Sequence, residues 1–86
     1  MRIRLVGDAD DALGFSLAGI EGIVPRDRRE ADRAFAAIEA EKGIGLVLVS
    51  AAVEDLGSPA LERLKLLGGI PAIVVLPARA RGDTSP

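Results

Sequence analysis

A run of apolar residues lies near the middle of the chain, from Ile44 to Val49, and it limits the possible folds. The run is nearly unbroken and partly β-branched, which is typical of a strand that is covered on both faces. A second run of this kind, Ala72 to Leu76, lies near the C-terminus. Such strands occur in parallel sheets, where helices connect the strands and cover the faces. The sequence therefore favours an α/β fold.

Helical patterns alternate with these strands along the chain. In chain order we predict a strand at Met1–Val6, a helix at Asp10–Gly19, a short strand at Ile20–Val24, a helix at Asp27–Lys42, a strand at Ile44–Val49, a helical turn within Ser50–Leu56, a helix from Ser58 up to Gly68, and a strand at Ala72–Leu76. The predicted buried sides of the three helices are Leu13, Leu17 and Ile20 beside Phe15 and Ala18; then Ala31, Ala34, Phe35 and Ile38; then Ala60, Leu61, Leu64 and Leu67. Four strands and three helices in this order predict a small, doubly wound parallel sheet of the flavodoxin or receiver type, with strand order 2-1-3-4.

That strand order leaves part of one sheet face without a helix. The first helix lies on one face and the other two lie on the opposite face, so the third and fourth strands are bare beside the first helix. We expect another chain to cover this area, either a partner or a second copy in a homo-oligomer. The candidate contact residues are Leu46, Leu48, Ile73 and Val75. The pairing register, which the sequence leaves open, decides which of them face the bare side.

Size and composition exclude several classes of protein. The 86 residues suffice for one domain, predicted at residues 1–77, with 78–86 as a frayed tail. The chain has no Cys and no His, which excludes thiolate and imidazole chemistry. A net charge of −2 and only two aromatic residues argue against a nucleic-acid partner. No apolar run approaches the roughly 20 residues of a membrane span and no signal peptide is visible, so we expect a cytoplasmic protein without direct membrane insertion.

The most enzyme-like feature is the acidic cluster Asp8, Asp10 and Asp11 after the first strand. Carboxylates at the carboxyl ends of parallel strands can hold Mg²⁺, as in phosphoacceptor receiver domains. A receiver domain also needs an acidic residue after the third strand, where this chain has Ser50, and a Lys after a later strand, where it has Arg79. We therefore interpret the carboxylates as helix caps. Because no glycine-rich phosphate loop is present either, we predict no catalytic residue, no metal and no cofactor.

Eight residues around the first predicted helix form a motif: Gly7, Asp8, Gly14, Phe15, Leu17, Ala18, Gly19 and Ile20. They resemble the start of the F subunit of V-type and archaeal-type rotary ATPases, where a strand ends in Gly-Asp and the next helix carries Gly-Phe-x-Leu-Ala-Gly-Ile. Ile44–Ser50 is similar to the family's third strand, and Ile70–Pro77 is similar to its Pro-led fourth strand. The resemblance covers most of residues 1–77.

The resemblance implies a non-catalytic rotor subunit in the central stalk. Such a protein docks on the coiled-coil D subunit of the stalk and helps to couple ATP turnover to proton or ion transport, peripheral to the membrane through the ATPase complex. On this resemblance we expect the family's C-terminal helical part to be missing, with Ala78–Pro86 in its place. Docking on the stalk is therefore the role that the resemblance supports, rather than contact with the catalytic head.

Two other functions stay open from the sequence. One is a degenerate receiver-like domain that regulates through protein contacts as a homodimer, which phosphoryl-donor labelling of Asp8 or Asp10 would favour. The other is a small-molecule or nucleotide-binding module at the carboxyl ends of the strands, which would show as a nucleotide-dependent rise in melting temperature. The lack of a phosphate loop makes the second the weaker hypothesis.

Overall fold

Four parallel strands form a single sheet in the order β2-β1-β3-β4, as the sequence predicts. In the computed structural model, which describes residues 2–78, the elements are β1 (Arg2–Val6), α1 (Ala9–Ser16), β2 (Gly22–Ile23), α2 (Arg28–Ala40), β3 (Ile44–Ser50), α3 (Ala51–Glu54), α4 (Pro59–Leu67) and β4 (Ala72–Leu76). The helical turn expected after the third strand is the short helix α3, so the described residues contain four helices rather than three. Apart from Ala78, the predicted tail lies outside the described residues.

β4 is one edge of the sheet, and its length is fixed by proline on both sides. Pro71 precedes the strand and Pro77 follows it, so the paired segment has five residues. Proline has no backbone N–H to donate to a ladder, which is why strands tend to end at such positions.

The main hydrophobic core lies between the sheet and the helices α2 and α4. The strands contribute Val6, Val47 and Val49 to it. The apolar stripe predicted for α2 is confirmed, since Ala31, Ala34, Phe35 and Ile38 are all buried. α4 buries Ala60, Leu61 and Leu64, whereas Leu67 is exposed at the C-terminal end of the helix.

A carboxylate of α2 holds the start of α4. Asp32 accepts hydrogen bonds from the Ser58 hydroxyl at 2.7 Å and from the Ala60 amide at 2.8 Å. Ser58 is buried and caps α4 by accepting from the Leu61 amide at 3.2 Å. The hydrogen bonds from Ser58 first, and then from Ala60, hold the pKa of the Asp32 carboxyl below its ordinary value. The two helices are thus joined into one layer by polar as well as apolar contacts.

α1 packs on the opposite face, but with a different side from the one predicted. Leu13 and Leu17 are 65% and 84% exposed, whereas Ala12 and Phe15 are half-buried. A Cβ added to Gly22 of β2 would lie only 3.3 Å from the Ala12 Cβ. The small alanine lets the helix approach the sheet closely, and this orientation turns the leucines outward. Their spacing identifies an apolar ridge correctly, but spacing alone does not tell which layer the ridge faces.

The regular part of α1 ends at Ser16, earlier than the predicted end at Gly19. Gly19 has a φ of +85°, a left-handed conformation that glycine adopts without strain. Its amide donates to the Ser16 carbonyl, and the Ile20 amide donates to the Phe15 carbonyl, both at 3.0 Å. This glycine-based stop turns the chain toward β2.

Candidate protein-interaction surface

Within residues 2–78, no helix covers β3 and β4 on the sheet face that carries α1. Alternate residues of these strands lie on that face, and the register pairs Leu46 with Ala72 and Leu48 with Val74. Leu46 is half-buried, Leu48 is buried at the centre, and Val74 is 44% exposed. We call this area the open half, and its residues are Leu46, Leu48, Ala72, Val74 and Leu76.

The register corrects the expectation for the two predicted contact residues of β4. Ile73 pairs with Val47 and Val75 pairs with Val49, so both face the side of the sheet that α2 and α4 cover. Both are partly buried against the main core. Because side chains alternate between the faces of a strand, they cannot share the open half with the two leucines of β3. Val74, which the sequence analysis did not single out, occupies that position instead.

The open half is about as wide as one α-helix. α1 lies beside β2, with Ala12 next to Gly22, and Leu5 of β1 is fully buried on this face. Strands in a sheet lie about 4.8 Å apart, so β3 and β4 extend roughly 10 Å beyond β1. That distance matches the diameter of about 10 Å of an α-helix with its side chains.

α1 itself presents a second bare apolar surface beside the open half. Leu13, Gly14, Leu17 and Ala18 are all exposed, and we call these four residues the α1 ridge. A Cβ added to Gly14 would meet no atom within 4 Å. Glycine inside a helix costs about 0.5–1 kcal/mol relative to alanine, and no contact within the described chain requires it at this position.

Ser50 organises the carboxyl edge of the sheet, where the acidic cluster lies. Its buried hydroxyl donates to the Asp11 carboxylate at 2.6 Å and accepts from the Asp8 amide at 3.0 Å. A Cβ added to Gly7 would lie 2.4 Å from the Ser50 oxygen, so the hydroxyl needs glycine in the neighbouring strand end. Asp8 caps α1 by accepting from the Asp11 amide at 2.8 Å, which confirms the helix-cap interpretation for Asp8, whereas Asp10 and Asp11 lie in the first turn of the helix.

A crevice of about 230 Å³ opens at this edge. Its lining is Asp8, Asp10, Asp11, Ala51, Ala52, Pro77 and Ala78. Within residues 2–78, no three acidic side chains are grouped as a metal site requires. Ser50 occupies the position that a receiver domain reserves for its phosphoacceptor carboxylate, and Arg79 lies outside the described residues. The hydrogen bonds of Ser50 and Asp8 serve to cap α1 and to close the β1–α1 turn.

The eight motif residues divide into two groups by their place in the structure. Gly7, Asp8 and Gly19 shape the two ends of α1, and Phe15 and Ile20 are half-buried against the sheet side. Gly14, Leu17 and Ala18 belong to the exposed α1 ridge. The fold of the chain thus accounts for the first group, while the second group lies on the surface beside the open half.

The fold and this surface can be set beside known proteins. Residues 3–85 match the family model for the ATP synthase (F/14-kDa) subunit. The chain belongs to this family. The solved structure of the F subunit of the V-type ATP synthase from Archaeoglobus fulgidus matches it with a TM-score of 0.74 at 25% sequence identity, covering 87% of this chain and 95% of that chain. No curated protein sequence matches the chain.

Family membership confirms the resemblance that the motif around α1 suggested. This member of the ATP synthase F-subunit family has the α/β fold of the archaeal V-type protein, and it is accordingly a subunit of a V/A-type ATPase. None of the helices within residues 2–78 has the length and apolar character needed to cross a bilayer.

Two features of the surface escaped the sequence analysis. The exposure of Val74 depends on the β3–β4 register, which the apolar runs do not encode because both faces of these strands are apolar. The Ser50 hydrogen bonds could have been anticipated from the sequence. Ser50 ends one buried strand and Gly7 follows the neighbouring strand, so the hydroxyl lies next to a residue that has no side chain.

Proposed function

We propose that this chain is a non-catalytic central-stalk, or rotor, subunit of its ATPase. In this role it docks on the coiled-coil D subunit of the stalk and helps to couple ATP turnover to proton or ion transport. It works in the cytoplasm, peripheral to the membrane through the complex. Membership of the F-subunit family supports the setting. The observation that carries the docking role is the open half, an apolar area with the width of one helix.

A coiled-coil partner suits this surface for physical reasons. Burial of apolar surface contributes about 25 cal/mol per Å², so covering the open half is favourable. Contiguous exposed apolar patches on small proteins generally mark interaction sites. A helix of a coiled coil supplies a long, straight row of side chains, which fits a groove between α1 and the edge strand β4.

The proposed role asks for no chemistry from this chain. Asp8 and Ser50 are engaged in capping α1 and closing its turn. A rotor protein contributes binding surfaces and stiffness, while ATP is hydrolysed or made elsewhere in the complex. The α2–α4 layer suits this role, because it packs on the opposite side of the sheet through the main core and the Asp32–Ser58 hydrogen bond.

Light-scattering mass after size exclusion tests the proposal, with the chain run alone and then mixed with the coiled-coil stalk protein (the D subunit) of the same organism. We expect a stable one-to-one complex. Val74→Asp should abolish it, whereas Val24→Asp should not. Val24 is the matched control because it is a valine of nearly equal exposure, 45% against 44%, next to β2 at the opposite edge of the sheet.

Three results would count against the proposal. A chain that never binds the coiled-coil stalk protein is not a docking rotor component of that complex. Equal binding by both aspartate variants would place the contact elsewhere than the open half. A lasting homodimer that ignores the stalk protein would favour the alternative of a degenerate receiver-like regulator, for which the position of Ser50 at the end of β3 is the structural argument.

A further inference from the structure

The open half and the α1 ridge are two bare apolar surfaces on one face of the molecule. They lie side by side, offset by about one helix width. A single helix laid on the open half would leave Leu13 and Leu17 pointing away from it, still exposed. We propose that in the free protein a second copy of this chain covers both surfaces, with the α1 ridge of each copy packed on the open half of the other.

One symmetry axis satisfies this arrangement. A two-fold axis that lies between the two sheets and runs parallel to the strands brings the two faces together. It places the β2–β1 side of each sheet opposite the β3–β4 side of the other. α1 of each copy then lies over β3 and β4 of the other, and the two helices lie side by side between the sheets. An axis perpendicular to the strands would stack α1 on α1 and leave both open halves empty. The favoured interface is isologous, so every contact occurs twice.

The register of the sheet makes the contacts specific. α1 runs back from the carboxyl edge to the amino edge of the sheet, and Leu13 lies near its middle, as Val74 lies in the middle of β4. Leu13 of one copy therefore faces Val74 of the other, while Leu17 lies nearer to Leu46 and the amino edge. Gly14, with open space around its Cβ position, lets the opposing sheet approach the helix closely.

The size and charge of this interface set its strength. The four strands span roughly 19 Å across the sheet, and the five residues of β1 or β4 span about 17 Å along it, so the face is small beside the standard interface of about 800 Å² per partner. The axis also brings like ends together, so Asp8 and Asp10 of the two copies approach one another at the carboxyl edge. The dimer is therefore weak and reversible, and higher ionic strength strengthens it by screening these carboxylates.

The dimer occupies the face that the proposed function assigns to the stalk, and in this respect the inference rests on that proposal. A free copy would otherwise expose its apolar face to other proteins. Pairing hides the face until the coiled-coil stalk protein displaces the second copy, so the dimer and the stalk complex exclude each other.

Cross-linking tests the arrangement directly, because the natural chain has no Cys and single cysteines can be introduced freely. Leu13→Cys and Val74→Cys chains are mixed and treated with a short bismaleimide. We expect cross-linked heterodimer in at least tenfold excess over the control mixture of Leu13→Cys with Val24→Cys. In parallel, sedimentation of the unmodified chain should show the mass rising from monomer to dimer with concentration, and Leu17→Asp should raise the dissociation constant at least tenfold.

The outcomes separate the dimer from the stalk proposal. A chain that stays monomeric at all concentrations yet binds the coiled-coil stalk protein overturns the dimer and leaves the proposed function intact. Equal cross-linking in both mixtures overturns the proposed geometry. A dimer that cross-links as expected and then dissociates when the stalk protein is added supports both, whereas one that ignores the stalk protein supports the dimer and counts against the stalk role.

Discussion

The two faces of the sheet differ in what covers them. On one face, α2 and α4 form a continuous layer, held together by Phe35, Leu61 and the Asp32–Ser58 hydrogen bond. On the other face, α1 is the one helix that the described part of the chain supplies, and none of its residues is fully buried. The first face contains most of what keeps the chain folded. The second face is only partly covered, and apolar side chains on it are exposed.

This difference shows how a small domain can separate stability from recognition. A domain of this size buries only about 60–65% of the surface that its unfolded chain exposes, so its free energy of unfolding is small. Concentrating the core on one side lets the other side keep exposed leucines and valines without unfolding. Substitutions on the two faces test that division.

The two phenylalanines provide the strongest test, because one lies on each face. Phe35 is fully buried in the main core, and Phe15 of α1 is half-buried on the opposite face. Phe35→Ala should lower the free energy of unfolding by about 3–5 kcal/mol, and Phe15→Ala by about 1–2 kcal/mol, in proportion to the area it buries. Urea denaturation followed by far-UV circular dichroism measures both. Equal losses would mean that the faces share the core evenly.

Two neighbouring valines of β4 test the division within a single strand. Val75 packs against the main core and Val74 lies on the open half. Val75→Asp should destabilise the fold by about 2–3 kcal/mol because it places a charge against the core, while Val74→Asp should cost less than about 1 kcal/mol. The same urea titration distinguishes them, and the reverse order would show that the register of β4 is misassigned.

Ser50 tests how firmly the carboxyl edge is tied together. Ser50→Ala removes the acceptor for the Asp8 amide and the donor to Asp11, both at a buried position. We expect a loss of about 1–2 kcal/mol. Ser16→Ala is the control, because the Ser16 hydroxyl donates to the Leu13 carbonyl at an exposed site and its loss should cost less than about 0.5 kcal/mol. Identical midpoints for the two variants would rule out a structural role for Ser50.

The smallest effect concerns pH and the α2–α4 layer. The pKa of Asp32 is lowered in the folded state, first by the Ser58 hydrogen bond and then by the Ala60 amide. Its stabilisation is therefore fully present above the unfolded pKa of about 3.9 and is lost as pH falls through the lower folded value. Between about pH 5 and 2, the urea midpoint of the natural chain should fall more steeply than that of Asp32→Asn. Parallel curves would show that this carboxylate is not linked to folding.

Much of the fold followed from the sequence because local signals agreed with one another. β4 was predicted at its observed bounds, since Pro71 and Pro77 frame an apolar run. The buried stripe of α2 was predicted correctly because all four of its residues pack into the main core. Leu13 and Leu17 of α1 were predicted to be buried but are exposed. The helix has apolar residues both on the side that packs on the sheet and on the side that faces away from it, and their spacing does not tell the two sides apart.

The candidate surface was predicted in outline and not in detail. Strand order alone implied a bare area beside the first helix, and the structure has one. The choice between Ile73 and Val74 required the register of β4 against β3, and in a strand with apolar residues on both sides that register carries no signal in the amino-acid pattern. Val74 thus emerged only from the three-dimensional pairing.

The two prolines that frame β4 also limit what can be added to the sheet. An exposed edge strand with apolar neighbours is a template on which strands of other chains can grow, in the manner of fibrils. Here the template is five residues long, about 17 Å, and neither flanking residue has an N–H with which to extend a ladder. The two prolines therefore limit any strand that pairs with the edge of β4 to a ladder of five residues.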